Sequence, residues 1–164
     1  MRIIKYRALT NTGWEYGLPF YSHGTGKWKI SHSDGWLPTY NDPDQGESTV
    51  LIDVKPETIT QFTGFYAKKC KTNLENEIYE HDVFRSEIDT DLGTEIQYNV
   101  VMWIEQRGAF YLIPACHFNV LMDNDLENDN DFEWLFEDAN LYDFSIDVRL
   151  TKVGNIYQNP ELLK

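Results

Sequence analysis

Glu80, His81 and Asp82 are consecutive residues with the side-chain types used for proton transfer. A histidine beside carboxylates can exchange a proton near neutral pH, so the triplet invites comparison with a general acid and base. Neighbouring residues of an extended strand, however, point to opposite faces. The three side chains are therefore not expected to converge on one substrate, and we interpret the triplet as part of a turn. No catalytic residue is predicted.

The histidines and cysteines of the chain are the side chains that zinc prefers. Structural zinc sites use ligands paired at close spacing. Only Cys116 and His117 are neighbours, and as neighbours on a strand they would diverge. We therefore predict no metal and no other cofactor. The residues considered are His23, His32, His81, His117, Cys70 and Cys116.

Acidic residues occupy alternate positions between 123 and 131, a spacing similar to that of a calcium-binding loop. Such a loop requires a glycine at its sixth position and a glutamate at its twelfth, where this chain has Asn128 and Trp134. The run is therefore predicted to be a solvated acidic loop, with weak cation binding as the alternative. Its acidic residues are Asp123, Asp125, Glu127, Asp129 and Asp131.

Cys70 lies in the basic cluster formed with Lys68, Lys69 and Lys71. Adjacent ammonium groups favour a thiolate, but no histidine base is near in sequence, so we interpret this cysteine as incidental. The sequence also lacks a serine nucleophile elbow and a glycine-rich phosphate loop. The protein is not expected to be an enzyme.

The formal net charge is −13, and no Lys or Arg occurs between residues 108 and 148. Binding to nucleic acid normally pairs Lys and Arg with phosphates, so a nucleic-acid partner is disfavoured. A basic partner, or solubility alone, agrees better with this charge. No signal peptide opens the chain and no apolar run approaches the length of a membrane span, which predicts a cytoplasmic protein without a membrane contact.

The distribution of aromatic and β-branched residues in short runs predicts a mainly β protein. We expect one domain over 1–164, with an exposed loop at 33–48 and an acidic insertion at 123–143. The clearest strands are Thr94–Ile104 and Ala109–Ile113, which predict a central hairpin. Other predicted elements are an irregular edge strand over Trp14–Tyr21, a turn or single helical turn with Pro56 at its first position, an acidic turn over Glu87–Gly93 and one short amphipathic helix near 132–142.

Tryptophans are candidates for a recognition surface, because exposed aromatic side chains are enriched at protein interfaces. Trp28 and Trp36 flank the long loop and are predicted to contribute to such a surface, together with the acidic residues from Asp123 to Asp131. Trp103 belongs to a core strand and is predicted to be packed.

Several segments of the chain, taken together, resemble the YopX family of small phage and prophage proteins. They are MRIIKYRA, PETITQFTGF, EIYEHDVF, VVMWIEQRGAFYL and VGNIYQNPELL. The family has leucine where this chain has Phe65, and glycine where this chain has His81. The second difference matters because glycine adopts a positive φ at little cost and histidine does not. The resemblance implies a small SH3-like barrel with additional strands and no known chemistry.

The resemblance implies a phage or prophage origin. The other observations favour an accessory protein without enzymatic activity, acting through protein contacts or as a homo-oligomer. One alternative is a small barrel that associates with nucleic acid, or an acidic segment that imitates DNA. Another is an unrecognised small enzyme, which would need a pocket where acid and base meet.

Overall fold

The computed structural model describes residues 4–31, 51–66, 77–105, 108–122 and 150–164. Most of these residues lie in antiparallel strands of two sheets, which confirms the mainly β prediction. They divide into two compact units, one ending at Phe62 and the other beginning at Thr63. The predictions for the loop 33–48, the acidic insertion 123–143 and the helix near 132–142 lie outside the described residues.

The first unit is a sheet of short strands in the order β4-β3-β2-β1-β5. A 3₁₀ helix over Pro56–Thr58 precedes β5, which confirms the helical turn predicted at Pro56. The strands are β1 Tyr6–Leu9, β2 Trp14–Ser22, β3 Lys27–Ser31, β4 Leu51–Asp53 and β5 Thr60–Tyr66, the last of which continues into the second unit.

The prediction of an edge strand over Trp14–Tyr21 is wrong, because β2 lies between β1 and β3. Its first half pairs with β1 as far as Gly17, and its second half pairs with β3 from Leu18 onward. Among the described strands, the part of β2 that contains Pro19 is therefore paired on one edge only. A residue without an N–H is tolerated at such a position, so proline did not indicate the edge of the sheet here.

The second unit is built on a sheet of order β10-β7-β8-β9. β8 and β9 form the predicted central hairpin, with Asn99 opposite Pro114 and Ile104 opposite Ala109. Among the described strands no pairing joins β9 to β10, so the expected SH3-like barrel is not closed within these residues. The elements are β6 Glu77–Tyr79, β7 Asp82–Thr90, β8 Gly93–Ile104, β9 Ala109–Pro114, helix α1 Ala115–Met122, β10 Thr151–Asn155 and a 3₁₀ helix over Pro160–Leu163.

Both faces of the second sheet are buried. Val83, Val100 and Ile113 pack on one face, where α1 contributes Phe118. Phe84 and Val101 pack on the other face. Burial on both faces explains the nearly continuous apolar run of β8, since successive residues pack into the cores on opposite faces of the sheet.

Helix α1 corrects the expectation that Cys116 and His117 lie on a strand. It follows β9 directly and packs through Ala115 and Phe118. Within the described ranges, no helix is both long and apolar enough to cross a bilayer.

Candidate functional site

Trp28 lies on β3, in a hairpin with β2. The turn is closed by the N–H groups of Thr25 and Gly26, which donate to the carbonyl of Ser22 at 3.2 and 2.8 Å. Gly26 has a φ of 66°, a conformation that glycine adopts without strain. This turn sets a register in which Trp28 is opposite Tyr21, and their rings meet edge to face at 5.9 Å.

Trp28 borders an open groove in the first unit, with a volume of about 490 Å³. The Trp28 side chain is 39% exposed. The lining is apolar or aromatic and comes from β1, β2, β3 and the segment around the 3₁₀ helix: Tyr6, Leu18, Pro19, Trp28, Pro56 and Ile59. A concave apolar surface of this size, with an exposed indole at its border, is suited to enclosing apolar side chains of a ligand.

Hydrogen bonds hold the 3₁₀ helix against β1, which positions Pro56 and Ile59. The Thr58 hydroxyl donates to the carbonyl of Lys55 at 2.7 Å and accepts the N–H of Leu9 at 2.8 Å. The N–H of Lys55 donates to the carbonyl of Leu9 at 2.9 Å. Thr58 is 2% exposed, so these bonds are shielded from water. One side of the groove is therefore fixed by hydrogen bonds from the Thr58 side chain and from the backbone.

The lysines beside Trp28 project away from the groove. Alternation along β3 places Lys27 and Lys29 on the opposite face from Trp28, and both ammonium groups donate to the carboxylate of Asp53 at 2.6 Å. The hydrogen bond from Lys27, and then that from Lys29, lowers the pKa of Asp53. The six lining residues therefore include no carboxylate and no histidine that would act as an acid or base.

The triplet Glu80, His81 and Asp82 has three separate sets of contacts. The carboxylate of Asp82, which is 0% exposed, accepts the N–H of Tyr79 at 2.8 Å and pairs with Lys152 at 2.8 Å. His81 Nδ1 lies 2.7 Å from the hydroxyl of Tyr157. The side chains do not converge, as the sequence argument predicts.

Glu80 has a different partner from its neighbours. Its carboxylate accepts the N–H of Trp103 at 3.3 Å. Burial raises the pKa of this carboxyl, and the hydrogen bond from Trp103 opposes that shift. Glu80 therefore accepts a hydrogen bond that supports the turn. Ionisation of its carboxyl group costs free energy because the group is partly buried.

His81 adopts a φ of 66°, the only positive φ at a non-glycine residue in the described part of the chain. Its N–H donates to the carbonyl of Val101 at 2.7 Å, and its carbonyl accepts the N–H of Ile156 at 3.1 Å. The imidazole also meets the ring of Phe118 edge to face at 6.0 Å. These contacts hold the backbone in the conformation that glycine would adopt more easily.

The described histidines and cysteine are dispersed. His23 meets the ring of Tyr21 at 5.1 Å, while His117 and the exposed Cys116 lie on α1. The described ranges contain no group of three or more His, Cys, Asp or Glu side chains arranged to hold a metal ion. His32 and Cys70 lie outside those ranges.

Of the predicted interface residues, Trp28 is placed by the structure at the border of the groove. The others lie outside the described residues: Trp36, Asp123, Asp125, Glu127, Asp129 and Asp131. Trp103, predicted to be packed, is instead 37% exposed, with its ring against Phe110 at 5.0 Å. Sequence reasoning missed Tyr6, Pro19 and Pro56 as parts of the groove, because their meeting depends on strand pairing between distant segments.

Comparison with known proteins places the chain in a family. A search of curated proteins found no match. The family model described as YopX protein matches residues 20–164, which include the end of β2, the strands β3 to β5 and every element of the second unit. The chain therefore belongs to the YopX protein family.

Proposed function

We propose that the protein is a non-enzymatic accessory protein that binds other proteins through the groove beside Trp28. The exposure of this indole at the border of an apolar groove of about 490 Å³ is the observation that carries the proposal. Tryptophan contributes disproportionately to binding energy at protein interfaces, because a rigid ring buries a large area on association. The presence of Tyr6 and two prolines in the lining agrees with recognition of an extended peptide segment.

The lining of the groove defines the kind of segment that it favours, because all six lining residues are apolar or aromatic. Residues 1–62 contain six Lys or Arg and seven Asp or Glu, so this unit is nearly neutral in a chain of net charge −13. The groove therefore suits a segment with apolar side chains.

A displayed peptide library tests this function. Peptides are selected on the immobilised wild-type protein and then compared by fluorescence titration on wild type and two variants, W28A and W103A. Trp103 is the matched control, because it has nearly the same exposure and lies on β8, outside the groove. We expect apolar peptides whose affinity falls by about tenfold or more in W28A and by less than about threefold in W103A.

Circular dichroism establishes that W28A is folded, and a second variant, P56D, extends the test. Pro56 is exposed at the first position of its 3₁₀ helix, where an aspartate is compatible with the local backbone. An added carboxylate there should weaken the binding of apolar peptides, because the carboxylate would lose hydration in the complex. Peptides that bind wild type and both groove variants equally would overturn the proposal. Retention of single-stranded DNA that W28A abolishes would assign the groove to nucleic acid instead.

A further inference from the structure

The wall segment of the groove, residues 54–59, contributes Pro56 and Ile59 to the lining. Little of this segment is buried. Lys55, Pro56 and Glu57 are exposed, and Thr58 is the one residue of the segment that is buried, at 2% exposure. A surface segment with few buried side chains opens easily unless hydrogen bonds hold it. The placement of Pro56 and Ile59 therefore depends on how the wall segment is bonded to the strands beside it.

Two backbone hydrogen bonds join the start of the wall segment to the strands of the groove. The N–H of Val54 donates to the carbonyl of Trp28 on β3 at 3.0 Å, and the N–H of Lys55 donates to the carbonyl of Leu9 on β1 at 2.9 Å. Pro56 has no N–H with which to extend this series. The part of the segment that lines the groove therefore needs a further attachment.

The hydroxyl of Thr58 supplies that attachment in place of a strand carbonyl. Arg7 is opposite Thr60 in the pairing of β1 with β5. Continuation of that antiparallel register by two residues would place Leu9 opposite Thr58, with the N–H of Leu9 donating to the backbone carbonyl of Thr58. The N–H of Leu9 donates instead to the Thr58 hydroxyl at 2.8 Å, and that hydroxyl donates to the carbonyl of Lys55 at 2.7 Å.

This exchange allows the backbone to turn away from the sheet. The N–H of Thr58 donates to the carbonyl of Lys55 at 3.0 Å, and the N–H of Ile59 donates to the carbonyl of Pro56 at 3.2 Å, which closes the 3₁₀ turn. A threonine hydroxyl both donates and accepts hydrogen bonds. One side chain therefore closes the turn and attaches it to β1.

We propose that Thr58 is the positioning residue of the groove, and that its hydroxyl holds Pro56 and Ile59 in place before a ligand binds. This inference rests on the proposed function and adds that the groove is preformed. Thr58 is too buried to touch a ligand, so it acts through the two lining residues. A groove that must first be assembled binds more weakly, in proportion to the fraction of molecules in the competent conformation.

Three threonine variants test the inference with the peptides selected on wild type. T58V keeps the shape of the side chain and removes both hydrogen bonds of the hydroxyl, whereas T58S retains the hydroxyl. T63V is the matched control, because Thr63 is 4% exposed and lies outside the lining of the groove. Its hydroxyl likewise donates to a carbonyl, that of Ile78 at 2.8 Å, and accepts an N–H, that of Phe65 at 3.1 Å.

Peptide affinity is expected to fall by about tenfold in T58V and by less than about threefold in T58S and T63V. Urea unfolding followed by circular dichroism should show that T58V and T63V lose comparable stability, because each loses the same two kinds of hydrogen bond. A difference in affinity between them then reports the groove and not the stability of the fold. Equal affinities in T58V and wild type, or equal losses in T58V and T63V, would overturn the inference.

Hydrogen exchange of the wild-type protein tests the same point even if T58V fails to fold. The N–H of Phe62 donates to the carbonyl of Lys5 at 2.8 Å beside the paired residues of β1 and β5. If the wall segment is already held in the free protein, the N–H of Leu9 should exchange within about tenfold of the rate of Phe62. Fast exchange of Leu9 that slows only when a selected peptide is bound would show that the ligand assembles the groove, contrary to the inference.

W28A separates this inference from the function on which it rests. Peptides that lose affinity in W28A and keep it in T58V would leave the proposed function standing and end the positioning role of Thr58. Peptides that bind W28A as tightly as wild type would overturn both.

Discussion

The β7–β8 hairpin has a base, residues 82–85 and 98–104, and an outer half, residues 86–97. The two parts belong to the same two strands and have opposite surroundings. At the base, β10 and β9 pair with the outer edges, and Val83 and Val100 are fully buried. In the outer half, the described strands offer no further pairing, and Ile88 and Ile96 face solvent. The register continues unchanged through both halves. Strand pairing alone thus extends the hairpin beyond the core, and its apolar side chains are left exposed to solvent.

The base and the outer half also differ in what surrounds their carboxylates. At the base, Asp82 is buried and neutralised by Lys152, whose ammonium group also donates to the carbonyl of Glu77 at 2.9 Å. In the outer half, the carboxylates are exposed to water. A buried carboxylate needs such a partner, because transfer of an isolated charge out of water is costly. Negative charge therefore has a structural role at the base and remains available for recognition at the tip.

The largest expected effect is the loss of the buried carboxylate in D82A. This variant removes the ion pair with Lys152 and leaves the N–H of Tyr79 without its acceptor. We expect the free energy of unfolding to fall by about 2–4 kcal/mol, since breaking a buried pair is costly and the partly exposed Lys152 recovers some hydration. Urea denaturation followed by circular dichroism measures it.

The matched control is D89A, the same substitution on the same strand in the outer half. Asp89 is exposed and accepts the hydroxyl of Thr94 at 3.2 Å, so the change should stay within about 0.5 kcal/mol. Equal losses in D82A and D89A would contradict the contrast between base and outer half.

A second, smaller effect is expected at the two-residue turn that leads into β7. H81A loses the contacts of the imidazole with Tyr157 and Phe118 but keeps a strained positive φ. H81G loses the same contacts and removes this strain, because glycine adopts a positive φ easily. H81G should therefore be more stable than H81A by about 1 kcal/mol. Thermal and urea unfolding of both variants measure the difference.

The sign of that difference is informative, because alanine is normally the more stabilising residue in ordinary backbone conformations. Wild type should exceed H81A by about 1–2 kcal/mol through the hydrogen bond and the ring contacts. An H81A variant as stable as H81G would show that the turn gives up its positive φ when the histidine is removed.

Local sequence patterns predicted the strands that alternate or run continuously apolar. β8 was predicted over Thr94–Ile104 and observed over Gly93–Ile104, because its apolar residues serve both faces of a buried sheet. A turn or single helical turn was predicted at Pro56, where the structure has a 3₁₀ helix, because proline fixes its own φ at the first helical position. These features depend on neighbours in sequence, so they can be inferred without knowledge of the fold.

Features that depend on distant contacts were missed. The segment Glu87–Gly93 was predicted as an acidic turn, since Asp and Glu are depleted in strands, yet Glu87–Thr90 continues β7 through its pairing with β8. Helix α1 has no strong start signal and is held by the packing of Phe118. Among the groove residues, only Trp28 was predicted to belong to an interface. Tyr6 and Pro56 were missed because they reach the groove through long-range pairing.

The smallest expected effect depends on pH and compares a glutamate at the base with one in the outer half. Because burial raises the pKa of Glu80, the folded state holds its proton more tightly than the unfolded state does. Stability is therefore lost as pH rises from the ordinary glutamate pKa through the higher pKa of folded Glu80. E80Q retains an oxygen to accept the N–H of Trp103 and removes this loss, so it should gain stability over wild type at neutral pH and little in acid.

Urea unfolding of wild type and E80Q at acidic and neutral pH measures this change. E95Q is the control for the substitution itself, because Glu95 is exposed in the outer half of the hairpin. A gain for E80Q that is equal at both pH values would show that ionisation of Glu80 costs the fold nothing. A loss at neutral pH would mean that the charged carboxylate stabilises the turn through the Trp103 N–H by more than its burial costs, and the base would then use negative charge at Glu80 as it does at Asp82.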